Sequence, residues 1–159
     1  MRTLFEELTR GLHDSDQIGR IVIRLIAALI LGGFVGVQRQ RSHKPAGLRT
    51  HMLVCLGTAV FVTTCGAVGM GVDAQSRVIQ GIVTGLGFIG AGSILKLSHE
   101  HEIKGLTAAA GVWMTAAIGV TVGLGALGIG IIATILTLII LAVATKFEGF
   151  MQRKREEQS

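Results

Sequence analysis

Charged residues are scarce in this chain, and the few that occur avoid long stretches of it. Only 16% of the 159 residues are charged, whereas ordinary soluble domains contain about a quarter. No charged residue occurs from Gly105 to Thr145. A single helix of that length would be about 60 Å long, twice the thickness of a bilayer's hydrocarbon core. The scarcity of charge excludes an ordinary soluble domain and predicts a membrane protein whose long apolar segment folds back on itself.

Cysteine and catalytic side chains are also sparse. The two cysteines, Cys55 and Cys65, lie ten residues apart, and on one helix this spacing separates their Cα atoms by about 15 Å, beyond the reach of a disulfide. We expect both to be buried packing residues. No nucleophile with a neighbouring base stands out in the apolar segments. We therefore expect a protein that is not an enzyme, holds no cofactor and binds no nucleic acid.

The apolar segments number five. Three are separate runs of about bilayer length: Ile21–Val37, interrupted only by Arg24, then Thr50–Val72 and Val78–Leu95. The long uncharged run supplies two more, with the reversal placed within Gly123–Gly128, where glycines let the backbone turn. We predict an all-α integral membrane protein with five transmembrane helices, formed by residues 19–146 and followed by a charged cytoplasmic tail at residues 147–159.

Basic residues in the short connections predict the orientation of the chain, because they concentrate on the cytoplasmic side. Ten lie on the side of the first connection and the C-terminal tail: Arg39, Arg41, Lys44, Arg49, Lys96, Lys104, Lys146, Arg153, Lys154 and Arg155. Five lie on the other: Arg2, Arg10, Arg20, Arg24 and Arg77. The asymmetry predicts an N-terminus outside and a C-terminus in the cytoplasm.

Residues 1–18 precede the first apolar run and show helical periodicity. Met1, Leu4, Phe5, Leu8 and Leu12 fall on one helix face. This pattern predicts a short amphipathic helix lying in the membrane interface. The alternative is a frayed terminus.

Glycines recur at the spacing that brings membrane helices together. Small-xxx-small pairs occur at Gly32 and Gly36, at Gly81 and Gly85, and at Gly119 and Gly123. The third segment also has a denser run, formed by Gly85, Gly87, Gly90 and Gly92. This run covers more than one helix face, so the third span is either packed on all sides or locally broken for an ion or substrate. On the packing interpretation, replacing Gly87 or Gly90 by leucine should destroy the contact.

Polar residues mark the start of the third segment. Asp73, Arg77 and Gln80 follow one another at helical spacing. They form either an interfacial anchor with a weak Asp73–Arg77 pair or an outer vestibule lined by Gln80. At the opposite side, Arg49 stands at the foot of the second span, where it can reach lipid phosphates or the carbonyls at a helix end.

A short loop contains the nearest approach to a metal-binding pattern. Ser98-His99-Glu100-His101-Glu102 offers two imidazoles and two carboxylates, which are acceptable metal ligands. A polar cluster of this kind between two spans is more often simply solvated, and we predict no metal site.

Several motifs in order resemble the MgtC/SapB family of membrane proteins. The likeness covers about Gly32 to Thr145 and includes Gly36-Val37-Gln38-Arg39, Lys44-Pro45-Ala46-Gly47-Leu48-Arg49-Thr50-His51, Arg77-Val78-Ile79-Gln80-Gly81, the glycine run, Gly105-Leu106-Thr107-Ala108-Ala109 and Trp113. Arg39, Thr50, Thr107 and Trp113 become candidate functional positions through this resemblance. They join Arg49, Asp73, Arg77, Gln80 and the glycines of the third segment.

The resemblance implies a bacterial inner-membrane protein with five spans, associated with low magnesium and survival inside macrophages. It further implies a regulator that contacts the F-type ATP synthase within the membrane and restrains its activity. From the small-residue faces themselves we expect association with a second copy or with a partner protein. Gln38 and Gln40 depart from the family's usual Gly-x-Glu-Arg-Glu pattern, which places any role of those carboxylates in doubt here.

Three classes of function follow from the residues. A membrane-embedded regulator needs packing surfaces and no continuous ionisable path, which agrees with the uncharged later spans. A small cation transporter or channel would more typically place ionisable side chains along a pathway, although glycine carbonyls alone can pass ions. An enzyme is the least favoured class.

Overall fold

The computed structural model describes residues 15–42, 44–97 and 102–156 of the chain. The described part contains five helices and one short hairpin. The helices are α1 (Ser15–Arg41), α2 (Leu48–Ala67), α3 (Val72–Gly92), α4 (Leu106–Gly123) and α5 (Leu127–Glu156). Between α3 and α4, β1 (Leu95–Leu97) pairs antiparallel with β2 (Glu102–Lys104), with Lys96 opposite Ile103.

The five helices coincide with the five predicted apolar segments. Among the described residues, α1, α2 and α4 are each long and apolar enough to cross a membrane, and α5 has a shorter apolar part, Leu127–Val143. The protein is therefore an all-α membrane protein, as predicted. The crossing of α3 and the orientation of the bundle stay predictions.

Glycines end or begin the helices where the chain reverses. Gly125 has φ +87° in the turn between α4 and α5, a conformation that costs glycine little. This turn lies within the Gly123–Gly128 segment, so its predicted position is confirmed. Gly105, with φ +102°, directly precedes α4.

The two ends of the bundle extend beyond the predicted apolar runs. α1 already begins at Ser15, so residues 15–18 of the predicted interfacial helix belong to the first long helix. The remainder of that prediction, residues 1–14, lies outside the described residues. α5 continues to Glu156, which makes most of the predicted charged tail an extension of the last helix.

The core of the bundle forms where α1, α2 and α4 meet. α1 packs most extensively on α2, and α2 packs next most extensively on α4. The central cluster of buried apolar residues comprises Ala28, Leu31, Val35, Cys55, Ala59, Ile118, Val122 and Leu141. Both cysteines are free and buried, which confirms the packing role predicted for them.

α3 joins the bundle from one side only. Its single buried residue, Leu86, packs with Val112 and Ala116 of α4. Its contact with α2 is slight, and a groove of about 570 Å³, lined by Gly57, Gly81 and Gly85 among others, separates the two helices. α3 is therefore a peripheral helix.

A buried polar seam as the candidate functional site

Glycines on α1 bring its backbone against α2. A Cβ atom built on Gly32 would lie 2.8 Å from the carbonyl oxygen of His51, and one on Gly36 would lie 2.6 Å from the Cα atom of Leu48. Both distances are too short for a real side chain. The Gly32 and Gly36 pair therefore makes the close helix contact that its spacing predicted.

Glycines on α4 do the same from the other side of α2. A Cβ atom on Gly119 would overlap Oγ1 of Thr58 and the carbonyl oxygen of Cys55, and one on Gly123 would lie 2.9 Å from the carbonyl oxygen of Ala59. This second predicted pair is also confirmed. As a result, α2 is held between two glycine faces.

The glycines of α3 behave differently from the prediction. Nothing lies within 4 Å of a Cβ atom built on Gly81, Gly85, Gly87 or Gly92, and Gly90 would meet only the Cβ atom of Ala109 at 3.6 Å. α3 is one unbroken helix. Within the chain the third span is thus neither packed on all sides nor broken, because only the Leu86 side of the helix faces the bundle. The expected clash of leucine at position 87 is wrong for the single chain.

The close contacts of α2 bury His51 completely. Its Nδ1 atom lies 2.7 Å from Oγ1 of Thr115 on α4, and that hydroxyl donates to the carbonyl oxygen of Gly111 at 2.8 Å. Since a hydroxyl has one proton, we assign the ring proton to Nδ1, which donates to Thr115. Nε2 is then a buried acceptor, and it has no hydrogen-bond partner among the described residues.

Arg39 lies beside His51 near the end of α1. Its side chain is 4% exposed, and it is close enough to act electrostatically on the imidazole. The neighbouring Gln38 also has a buried side-chain oxygen without a hydrogen-bond partner in the described part of the chain. Gln40 faces outward, and its side-chain oxygen accepts a long hydrogen bond of 3.4 Å from the backbone N–H of Leu48.

Arg24 occupies the opposite end of the same three-helix contact. Its Nη1 atom donates to the carbonyl oxygen of Gly123 at 3.0 Å, and Thr63 donates weakly to the same oxygen at 3.5 Å. This carbonyl is at the C-terminus of α4, where the last backbone oxygens lack helical partners and the helix dipole is negative. The guanidinium supplies the missing donors and a compensating charge.

The polar side chains of this contact form a line through the bundle. We call them the polar seam, and its members are Arg39, His51, Thr115, Thr58, Thr63 and Arg24. Each of the three threonines is at most 6% exposed. An arginine stands at each end, and no carboxylate belongs to the seam. The Arg24 guanidinium stabilises the carbonyl group of Gly123, and positive charge at both ends of the seam disfavours a cation there on electrostatic grounds.

Of the candidate residues predicted from sequence, Arg39 alone belongs to the seam. Arg49, Asp73, Arg77, Gln80 and Thr107 are exposed, Thr50 is half-buried, and Trp113 is 50% exposed in a groove between α4 and α5. Within the described residues no ion pair joins Asp73 to Arg77. Gln80 points away from the bundle and does not line a vestibule within the chain.

Sequence reasoning missed His51, Arg24 and the buried threonines as site residues. An available signal was the presence of an ionisable residue inside a predicted span, which is rare and marks function or a buried partner. The described residues contain no group of three potential metal-ligating side chains. The His99–His101 loop lies outside the described residues.

The fold and seam define a polytopic α-helical membrane protein with a close-packed interior. Comparison with known proteins gives its family: the MgtC family model matches residues 25–150, and the chain belongs to the MgtC family. This confirms the resemblance noted from the motifs. None of the solved structures matches the chain.

Three curated relatives are 40 to 45% identical to the chain over the aligned residues. Protein SrpB of Synechococcus elongatus is 40% identical over 82% of this chain and 78% of its own length. The protein named "Putative magnesium transporter YhiD" of Escherichia coli K12 is 45% identical over 77% of this chain and 59% of its own. Protein MgtC of Brucella abortus is 40% identical over 75% of this chain and 49% of its own. The chain thus spans only about half to three fifths of YhiD and MgtC.

Proposed function

We propose that this protein is a membrane-embedded regulator linked to magnesium limitation, located in a bacterial inner membrane and acting through contact with other membrane proteins rather than by catalysis. Membership of the MgtC family supports the link to magnesium, and so does the name of YhiD. The proposed N-terminus outside and C-terminus in the cytoplasm rest on the distribution of basic residues.

The observation that carries the regulator proposal is the construction of the polar seam. The α1–α2–α4 interior is closed by glycine contacts that leave no room for one methyl group at Gly32, Gly36, Gly119 or Gly123. Arginine side chains stand at both ends. A magnesium ion would have to pass two fixed positive charges and shed tightly held water, which it does reluctantly. Such an interior favours a rigid scaffold whose outer surfaces act on partners.

A finer proposal names the partner. The resemblance implies that the F-type ATP synthase is restrained by contact in the membrane, which would limit the ATP level and membrane potential and support survival inside host cells. The matching experiment measures ATP-driven proton pumping in inverted membrane vesicles with and without the expressed protein. We expect pumping to fall when the protein is present, and unchanged pumping would reject this partner.

The second candidate function is magnesium transport. The 45% identity with YhiD, whose name assigns it that activity, is the observation that favours it. A cation pathway would then have to run outside the seam, along one of the two apolar grooves of about 570 and 600 Å³ that flank α3 and α5.

Cation flux into liposomes separates the two functions. Purified protein would be reconstituted, and Mg²⁺, K⁺, Na⁺ and H⁺ flux would be measured under an imposed potential, with protein-free liposomes as the baseline. We expect no flux above that baseline. Saturable Mg²⁺ flux that is lost in a Gly85→Leu variant, which fills the α2–α3 groove, would reject the regulator proposal in favour of transport. A Gly128→Leu variant is the matched control, since Gly128 also has open space around it.

A further inference from the structure

α3 turns its polar residues away from the bundle. Its side facing the other helices carries Ile82 and Leu86, whereas the opposite side carries residues that are all exposed: Asp73, Arg77, Gln80, Thr84, Gly87 and Ala91. We call these six the outer face of α3. These six residues are spaced by four, three, four, three and four positions. This is the spacing of the contact face in a coiled coil of two helices.

If α3 crosses the membrane as predicted from the sequence, this polarity is the reverse of what a helix facing only lipid requires. Gln80 lies eight residues into α3, and its side-chain amide has no hydrogen-bond partner among the described residues. An amide exposed to hydrocarbon costs free energy unless another helix satisfies it. The outer face thus lacks a partner helix.

The geometry points to a second copy of this chain as that partner, with the two α3 helices packed in parallel about a twofold axis normal to the membrane. Two copies inserted in the same direction bring identical residues opposite each other. Residues one helical turn apart on the two copies also become neighbours, so each Asp73 comes near the Arg77 of the other copy. This inference is independent of the proposed function, since either a regulator or a transporter can be a dimer.

Each part of the outer face matches its own copy. The Gln80 amide is both donor and acceptor, so two of them can hydrogen-bond to each other. In this dimer Asp73 of one copy would lie one helical turn from Arg77 of the other, and neither residue forms an ion pair within the described chain. Gly87 and Ala91 allow the backbones to approach closely. A different partner helix with charges of only one sign could pair with Asp73 or with Arg77, but not with both.

Thr84 is compatible with the same contact. Its hydroxyl already donates to the backbone oxygen of Gln80 at 2.9 Å, so it brings a small side chain and no unsatisfied donor to the interface.

Cysteine cross-linking in native membranes tests the arrangement. We expect Thr84→Cys and Ala91→Cys to form a covalent dimer with an oxidant. Val83→Cys is the matched control, because Val83 is 45% exposed at the same depth but points about 100° around the helix. The native Cys55 and Cys65 are buried. At least a tenfold higher dimer yield for the two outer-face variants than for Val83→Cys supports the inference. Equal yields, or no dimer, overturn it, as does a cross-linked product whose mass requires a different protein.

A second measurement avoids dependence on added cysteines. Gly87→Leu places a bulky side chain on the outer face, where nothing in the chain lies within 4 Å, so the monomer should still fold. We expect it to convert the dimer to a monomer in detergent, by light scattering or native mass measurement, while Gly128→Leu leaves the dimer intact. Retention of the dimer by Gly87→Leu, or a monomeric wild-type protein, contradicts the α3 interface.

Discussion

Arg24 and Gly123 are joined by a hydrogen bond of 3.0 Å although 99 residues separate them in the chain. The bond ties the first helix to the turn that follows α4. It also explains why a charged residue interrupts the first apolar segment: its charge is placed at the negative end of a helix dipole inside the protein. The same guanidinium lies where Gly125 leaves room for it, since a Cβ atom there would be 2.5 Å from Nη2.

Replacing Arg24 by leucine should destabilise the bundle. The substitution removes a charge-assisted hydrogen bond and leaves the Gly123 carbonyl with only the weak bond from Thr63, so we expect a loss of about 1.5–3 kcal/mol. Equilibrium unfolding in detergent is the measurement. Arg20→Leu is the control, because Arg20 is exposed on the same helix. Equal losses for the two variants would contradict the capping role of Arg24.

Replacing glycine by alanine should have different effects on stability at Gly119 and at Gly57. Gly119→Ala forces a Cβ atom into Thr58 and the α2 backbone, and overpacking of this kind costs about 1–3 kcal/mol. Gly57→Ala adds the same atom to the middle of α2, where nothing lies within 4 Å, and alanine favours a helix more than glycine does. Thermal unfolding of the two variants should show a lower midpoint for the first only. A lower unfolding midpoint for both variants would contradict this expectation and would mean that another group fills the groove beside Gly57.

The His51–Thr115 hydrogen bond should show energetic coupling. Thr115→Val keeps the volume but removes the acceptor for Nδ1, which costs about 1–3 kcal/mol when a buried donor is left unsatisfied. In a His51→Leu background the same change should cost much less. A double-mutant cycle of unfolding free energies measures the difference, and we expect an interaction of about 0.5–3 kcal/mol. Thr115→Ser, which keeps the hydroxyl, should retain most of the coupling. Simple additivity would argue against the hydrogen bond.

The glycines that precede α3 and α4 should differ in their tolerance of alanine. Gly105 has φ +102° and lies against the carbonyl of Ser93, whereas Gly71 has φ −65° and open space around it. Gly105→Ala should therefore reduce the yield of folded protein in membranes by several fold, because both the backbone conformation and the contact are lost. Gly71→Ala should leave it unchanged. Fluorescence-detected size exclusion of tagged variants compares the two directly.

The number of helices and the last turn could be predicted because they depend on local sequence. Uncharged runs of bilayer length gave the five helices, and the glycines at positions 123–128 gave the reversal. Two of the three small-residue pairs also proved to be contacts. The length of an uncharged run shows whether it can span the hydrocarbon core, and glycines show where the backbone can turn. Both signals are local, so a single sequence contains them.

The partners of individual residues could not be predicted in the same way. The glycine run of α3 is the densest in the chain, yet Gly85, Gly87 and Gly92 have open space around them and Gly90 meets only Ala109. Glycine spacing does not show which face of a helix meets the bundle. Arg24 and His51 have partners on α4, 99 and 64 residues away. Only the three-dimensional arrangement of α1, α2 and α4 reveals that His51 is buried and Arg24 half-buried next to hydrogen-bonding groups.

The pairing of α2 with α4, across the intervening α3, also sets an order of events during synthesis. Thr63 and Gly123 are 60 residues apart, and a ribosome that adds about 5–20 residues per second needs roughly 3 to 12 s to produce the second after the first. During this interval α2 has its α1 neighbour but no α4. α3 is synthesised during this interval, and in the finished fold it has only slight contact with α2. The peripheral position of α3 therefore allows the ribosome to deliver the core helices out of their spatial order.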